Sequence, residues 1–145
     1  MFNAVQYFNY SNALEALEFY ERNFGAEVTG KVMADNDMFK GSLEQMGMNE
    51  AEASTFVMNA EFEIFDQKFM ASSTWKQKEI DNEGASVCFV FDGKDTEAVH
   101  KAKTFYDQAV EAGCRVDMEL GPTEWTELFA SITDPYGVSW MLSAE

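Results

Sequence analysis

The chain has 145 residues, 46% of them hydrophobic, with 26 acidic and 10 basic side chains. This length suits one domain or two small units that share a core, and the hydrophobic content argues against disorder. The net charge of −16 disfavours nucleic-acid binding and membrane docking, because phosphate backbones and anionic lipids are repelled. The start of the chain lacks the pattern of a signal peptide, and two cysteines make no disulfide framework. We therefore expect a cytoplasmic protein.

The first half of the chain is predicted to contain a strand, a helix, a strand and a hairpin. Asn12 and Glu15 have the spacing of a capping box, and Gly25 follows the last apolar residue of a helical repeat. The predicted strands are 2–9, 26–32 and 54–64, the last forming a hairpin with 69–71. Residues 35–53 are methionine-rich and acidic without a clear period, which predicts a long loop with room for one helical turn.

The same order of elements is predicted after a polar stretch. Asp95 or Thr96 begins the second helix, Gly113 ends it, and Asp134 with Pro135 and Gly137 fits a type I turn. The predicted strands are 85–91, 114–120, 124–132 and 138–142. Each half is too short for a core of its own, so the two should pack together. The predicted organisation is a first module at 1–75, a linker at 76–84 and a second module at 85–145.

Two runs of sequence resemble a known family. Residues 12–20, continuing to Phe24–Ala26, and residues 123–125 with 133–140 resemble the first helix and the closing hairpin of PhnB-like proteins. These belong to the glyoxalase/bleomycin resistance/dioxygenase superfamily, also called vicinal oxygen chelate proteins. The resemblance implies an α+β fold of two tandem βαβββ modules, with curved mixed sheets around a shared cleft, and a homodimer.

The resemblance also implies where a metal would bind, and the residues there are unsuitable. The matched positions are Val5, Ala71, Val87 and Met141, or Gln6, Ser72 and Cys88 after a one-residue slip. A divalent ion needs several converging nitrogen or oxygen donors, so we expect no metal and no cofactor. PhnB-like proteins often carry the label 3-demethylubiquinone-9 3-methyltransferase. The sequence has no glycine-rich strand-to-helix turn for a nucleotide-like cofactor, and so gives methyl transfer no support.

No catalytic residue is predicted. The one histidine, His100, falls within the second predicted helix and is expected at the surface. Cys88 lies in a predicted strand with no cation nearby in sequence to activate a thiol, and Cys114 follows a helix-ending glycine. Both are interpreted as inert.

Aromatic residues are the remaining candidates for function. Trp75 and Tyr136 lie on or beside the strands that the resemblance places around the cleft, together with other aromatic residues. The predicted ligand-binding cleft comprises Phe8, Met70, Cys88, Trp125, Phe129 and Trp140. An apolar cleft with few polar anchors suits a small hydrophobic or planar molecule, and family members that sequester antibiotics bind them without chemistry. The favoured hypothesis is a homodimer that binds a small organic molecule without a metal.

Two alternatives remain open on the sequence. The first is a lyase, isomerase or dioxygenase of the same fold, with atypical metal ligands such as Gln6, Glu61 or Glu63. Alternation with apolar residues predicts that Glu61 and Glu63 point to solvent. The second is a protein-interaction module that grips its partner through residues 35–53.

Overall fold

A computed structural model describes residues 1–74, 81–82 and 84–145. The chain forms two compact units, Met1–Ile80 and Asp81–Glu145. Trp75 and most of the predicted linker at 76–84 lie outside the described residues. None of the described helices is long and apolar enough to cross a membrane.

Among the described residues, each unit has one long helix and four strands. The elements of the first unit are β1 (Gln6–Tyr10), α1 (Ala13–Asn23), β2 (Glu27–Met33), a 3₁₀ turn (Asp37–Phe39), α2 (Glu50–Thr55), β3 (Val57–Ile64) and β4 (Gln67–Ser73). Those of the second unit are β5 (Ser86–Phe91), α3 (Thr96–Glu111), β6 (Arg115–Gly121), β7 (Phe129–Thr133) and β8 (Ser139–Ala144).

The two sheets have the same topology. The strand order is β1-β4-β3-β2 in the first and β5-β8-β7-β6 in the second. The parallel pairs are β1 with β4 and β5 with β8, which are the first and last strands of each sheet in chain order. The other neighbouring strands are antiparallel. The predicted α+β class with two tandem βαβββ modules is confirmed.

Local signals in the sequence account for the helix boundaries. The Asn12 side chain accepts a hydrogen bond from the Glu15 backbone N–H at 3.1 Å, and Asp95 caps α3 in the same way. Gly25 and Gly113 follow the two helices with φ of +64° and +93°. Glycine adopts this left-handed conformation without a steric penalty, so both helices end where the sequence predicted.

Three predicted boundaries were wrong. The first strand begins at Gln6 and not at Phe2. The Phe2 side chain is fully exposed, so its burial does not hold this end of the chain against the sheet. The strand predicted at 54–64 begins at Val57, because α2 runs through Thr55. Asn49 caps α2 by accepting from the Glu52 N–H at 2.8 Å. The strand predicted at 124–132 begins only at Phe129, since the chain turns at 123–128.

The long helix of each unit covers one face of its sheet. In the first unit Tyr20 of α1 stacks on Phe62 at 5.7 Å and its hydroxyl lies 2.8 Å from that of Tyr10. In the second unit Phe89 contacts Phe105 of α3 at 5.9 Å and stacks on Trp140 at 5.8 Å. Each aromatic pair of this kind stabilises the fold by about 0.5–1.5 kcal/mol beyond the stabilisation from burying the rings. We call the sheet face opposite α1 or α3 the distal face.

Candidate functional site

The distal face of the second sheet is built by the strand register. Side chains alternate along a strand, so the neighbours of Phe89 and Trp140, which pack toward α3, point to the distal face. Paired residues then form three rows across the four strands. These rows are Ser86, Ser139, Thr133 and Arg115; Cys88, Met141, Ser131 and Met118; and Val90, Ser143, Phe129 and Gly121.

The central row carries no charge. It consists of a thiol, two thioethers and a hydroxyl, from Cys88, Met141, Met118 and Ser131. Met118 is 41% exposed and Val90, in the next row, is 55% exposed, whereas Phe129 is buried. Exposed apolar side chains gathered on one surface are typical of an interaction or ligand site. Thioethers are polarisable and adapt to the shape of a bound molecule.

A polar cluster closes one end of this face. Arg115 Nε donates to Asp117 Oδ1 at 2.8 Å, and the Thr133 hydroxyl donates to Asp117 Oδ2 at 2.5 Å while accepting from Arg115 Nη2 at 3.2 Å. Burial alone would raise the pKa of Asp117, but the hydrogen bonds from Thr133 and Arg115 and the arginine charge lower it. Asp117 thus stays ionised and fixes a guanidinium beside an uncharged surface.

Trp125 stands next to the row that contains Phe129. Its ring contacts Phe129 edge to face, with centroids 5.4 Å apart, yet it is 65% exposed. Thr123 and Thr126 fix its loop: the Thr126 N–H donates to Thr123 Oγ1 at 3.2 Å and Thr126 Oγ1 donates to the Ala144 carbonyl at 2.5 Å. An exposed aromatic ring on a hydrogen-bonded loop is pre-organised for stacking.

The structure separates the residues predicted for the cleft. Cys88 and Phe129 lie on the distal face of the second sheet with Trp125 beside them. Phe8 and Trp140 instead lie on the helix-covered faces, where Phe8 stacks on Phe69 at 6.0 Å and Trp140 is 1% exposed. A ring in either position can support the sheet from behind and cannot touch a ligand on the distal face. Tyr136 is half-buried in the turn before β8.

Met70, the sixth predicted residue, lies on the distal face of the first sheet. It stands in a row between Tyr7 and Glu61. Glu61 is half-buried and forms an ion pair with Lys68 at 3.1 Å. This face is therefore more polar than that of the second sheet.

The register also tests the proposed atypical metal ligands. Gln6 pairs with Phe69, which stacks on Phe62 toward α1, so Gln6 is on the α1 side. Glu61 and Glu63 alternate with Phe62 and lie on the other side of the sheet. These three side chains cannot converge on one ion. In the described part of the chain, no three His, Cys, Asp or Glu side chains form a group that could hold a metal.

Neither cysteine is an activated nucleophile, and His100 is exposed on α3. Burial, followed by the negative charge of Glu145, raises the pKa of the Cys88 thiol. Burial and the charge of Asp134 raise the pKa of Cys114 to about 12. Both thiols therefore stay protonated at neutral pH, and a thiol is a poor nucleophile compared with its thiolate.

Sequence reasoning did not identify Met118 and Met141 as contributors to this surface. Met141 was considered only as a metal position, and Met118 only as part of a strand. The pairing of Cys88 with Met141 and of Met118 with Ser131 brings them into one row. Two bulges in β6 set the position of Met118, and no local sequence pattern predicts them.

Comparison with known proteins agrees with the fold. A model of the glyoxalase/bleomycin resistance protein/dioxygenase superfamily matches residues 5–142, and the chain belongs to this superfamily. YjdN of Escherichia coli K12 is 23% identical over 140 residues, which are 91% of this chain and 87% of YjdN.

Solved structures of the same fold include protein PA1353 from Pseudomonas aeruginosa and a PhnB protein from Bacillus cereus. PA1353 is 25% identical with a TM-score of 0.73, and the match covers 100% of this chain and 98% of PA1353. The PhnB protein is 20% identical with a TM-score of 0.68, over 99% of this chain and 100% of that protein. The resemblance to PhnB-like proteins predicted from the two sequence runs is confirmed.

Proposed function

We propose that the protein binds a small organic molecule on the distal face of the second sheet, without a metal ion or another cofactor. The observation that carries this proposal is the uncharged row of Cys88, Met141, Ser131 and Met118, in which Cys88 and Met118 are exposed, next to the row of Phe129 and the exposed ring of Trp125. Binding sites for small molecules are mostly apolar with a few well-placed polar groups, and this face has that composition.

The arrangement favours a planar ligand with an apolar body and one polar end. A ring can stack on Trp125 and contact the two thioethers, whose sulfur atoms interact favourably with aromatic rings. Arg115, held by Asp117, can donate to an acceptor atom at the other end. Four strands about 4.8 Å apart span roughly 14 Å, which accommodates a molecule of two or three rings.

The test compares two substitutions that add the same charge at different places. Cys88→Glu places a carboxylate in the uncharged row, and Thr104→Glu places one on the exposed side of α3. Melting temperature is measured with neutral planar compounds such as 2-naphthol and quinoline, and with a panel of antibiotics, in the presence of EDTA. A ligand that binds only the folded protein raises the melting temperature by mass action.

We expect at least one compound to stabilise the unmodified protein and Thr104→Glu, and to lose its effect on Cys88→Glu. Equal stabilisation of both variants would place the ligand elsewhere. Stabilisation that appears only when a divalent ion replaces EDTA would contradict the metal-free proposal.

We also propose that the protein is a homodimer of the reducing cytoplasm. The outer strands of each sheet, such as β2 and β6, have one edge unpaired within that sheet, and open edges favour association. Cys88 and Cys114 are both free. Sedimentation velocity at micromolar concentration should show a dimer, and titration of the purified protein should find two free thiols per chain. A monomer would contradict the first proposal, and a disulfide would contradict the second.

A further inference from the structure

We propose a second binding site, for a small zwitterion with an apolar body such as an aliphatic amino acid. It is a cavity of about 230 Å³ between α3 and the segment before β7, lined by Gly93, Val99, Lys103, Glu127 and Leu128. None of these residues belongs to the rows of the distal face. The volume is below the roughly 300–1,000 Å³ of cavities for drug-sized ligands, which favours a molecule of amino-acid size.

The walls of this cavity are fixed by backbone hydrogen bonds. The Gly93 N–H donates to the Glu145 carbonyl at 3.1 Å, and the Ala144 N–H donates to the Leu128 carbonyl at 2.9 Å. Val99 and Lys103 are four residues apart on α3 and so share one side of that helix. The backbone on both sides of the cavity is thus held by the fold of this unit.

Its two charged side chains are unpaired within the described residues. Within residues 1–74, 81–82 and 84–145, neither Lys103 nor Glu127 makes an ion pair or a side-chain hydrogen bond, and they do not pair with each other. Lys101, by contrast, pairs with Glu97 on the same helix at 3.3 Å. A ligand carboxylate can accept from Lys103 while a ligand ammonium donates to Glu127, and the apolar part contacts Val99 and Leu128.

Gly93 leaves room for the Glu127 carboxylate at the cavity. A Cβ atom on Gly93 would collide with Oε1 of Glu127, so the carboxylate lies directly against this glycine. The backbone of Gly93 is not in the left-handed region that favours glycine. The absence of a side chain therefore serves to admit Glu127 rather than to permit a turn.

The charge of the whole chain selects among small ions. With a net charge of −16, the protein repels a simple anion at long range, and a simple cation in the cavity would pair with Glu127 but leave Lys103 without a counter-charge. A zwitterion has no net charge, and both of its charged groups find an opposite charge in the cavity. This complementarity favours a zwitterionic ligand.

The experiment is a titration of the ¹⁵N-labelled protein with L-leucine, followed by amide chemical shifts. The comparison compounds are 4-methylpentanoate, which lacks the ammonium group, and 3-methylbutylamine, which lacks the carboxylate. We expect leucine to shift the amides of Gly93, Val99 and Leu128 at millimolar concentration, and each comparison compound to bind about tenfold more weakly, as when one charge-assisted hydrogen bond is lost.

Variants locate the effect. Lys103→Gln and Glu127→Gln should each weaken leucine binding about tenfold. Gly93→Ala should weaken it as well by displacing Glu127, and Lys101→Gln, whose side chain does not line the cavity, should leave it unchanged. Melting temperatures confirm that each variant is folded.

The proposal is overturned if leucine shifts no cavity amide, or if either comparison compound binds as tightly as leucine. An equal loss of leucine affinity in Lys101→Gln would also overturn it, because the affinity would then depend on the overall charge of the protein and not on Lys103 in the cavity.

Discussion

At the scale of single residues, Asp134 shows how one side chain sets a local structure. Its carboxylate is 4% exposed and accepts from the backbone N–H groups of Tyr136 and Val138, at 2.8 and 3.0 Å, and from Trp140 Nε1 at 2.8 Å. Sequence predicted the turn, and the Gly137 N–H, which donates to the Asp134 carbonyl at 3.1 Å, confirms it. The bond to Trp140 could not be predicted, because it depends on which face of β8 the indole occupies.

Replacing this carboxylate tests its role in folding. Asp134→Ala leaves the buried Trp140 Nε1 and Val138 N–H without an acceptor. Each buried unsatisfied group costs about 1–3 kcal/mol, so we expect the free energy of unfolding to fall by roughly 3 kcal/mol. Chemical denaturation measures it. Asp107→Ala on the exposed side of α3 is the control, with an expected change within about 0.5 kcal/mol. A loss as small as the control's would show that the hydrogen bonds do not stabilise the turn.

The two cysteines give a residue-level test of the distal face. Cys88 is exposed, whereas Cys114 is buried with a pKa of about 12. Alkylating reagents react with the thiolate, and the pKa of Cys88 is raised above its ordinary value of 9.0. The alkylation rate of Cys88 should therefore continue to increase as the pH rises above 9.0. Cys114 should remain unlabelled until the protein unfolds.

Iodoacetamide labelling followed by mass spectrometry measures both rates. A ligand that stabilises the protein should also protect Cys88, because the thiol lies in the central row of the distal face. Undiminished labelling in the presence of a saturating ligand would contradict this location, and labelling of Cys114 at the rate of Cys88 would contradict the described burial.

At the scale of elements, the sequence predicted most of the architecture. Caps such as Asn12 and stops such as Gly25 are local signals, and the order of strands and helices followed from them and from periodicity. The face on which a side chain lies was less predictable. Phe8 and Trp140 were placed in the cleft because they are large and aromatic, but strand alternation puts them beneath a helix.

A cap substitution tests the local account of α1. Asn12→Ala removes the acceptor for the Glu15 N–H at the start of the helix. We expect a loss of about 1 kcal/mol in the free energy of unfolding, within the range of 0.5–2 kcal/mol for such caps. Asn3→Ala, at an exposed position before β1, is the matched control and should change stability little. Equal stabilities of the two variants would show that Asn12 is not a working cap.

At the scale of the whole molecule, superfamily membership gives the fold, and the function depends on what each sheet face carries. One fold supports many activities, so the residues of the site must decide. Here the register brings uncharged, sulfur-containing side chains together on the second sheet and a Lys68–Glu61 ion pair onto the first. The sequence could not predict this division, because it arises from pairing between distant strands.

The metal-free binding of a small molecule is tested most directly by NMR of methionine methyl groups. Met118 and Met141 lie on the distal face of the second sheet, and Met38 is 71% exposed in the 3₁₀ turn of the first unit. The protein is labelled at the methionine methyl carbons and titrated in EDTA with the compound that stabilises it best. We predict shifts of the Met118 and Met141 signals and none at Met38. Shifts that spare both residues, or that require an added divalent ion, would contradict the proposal.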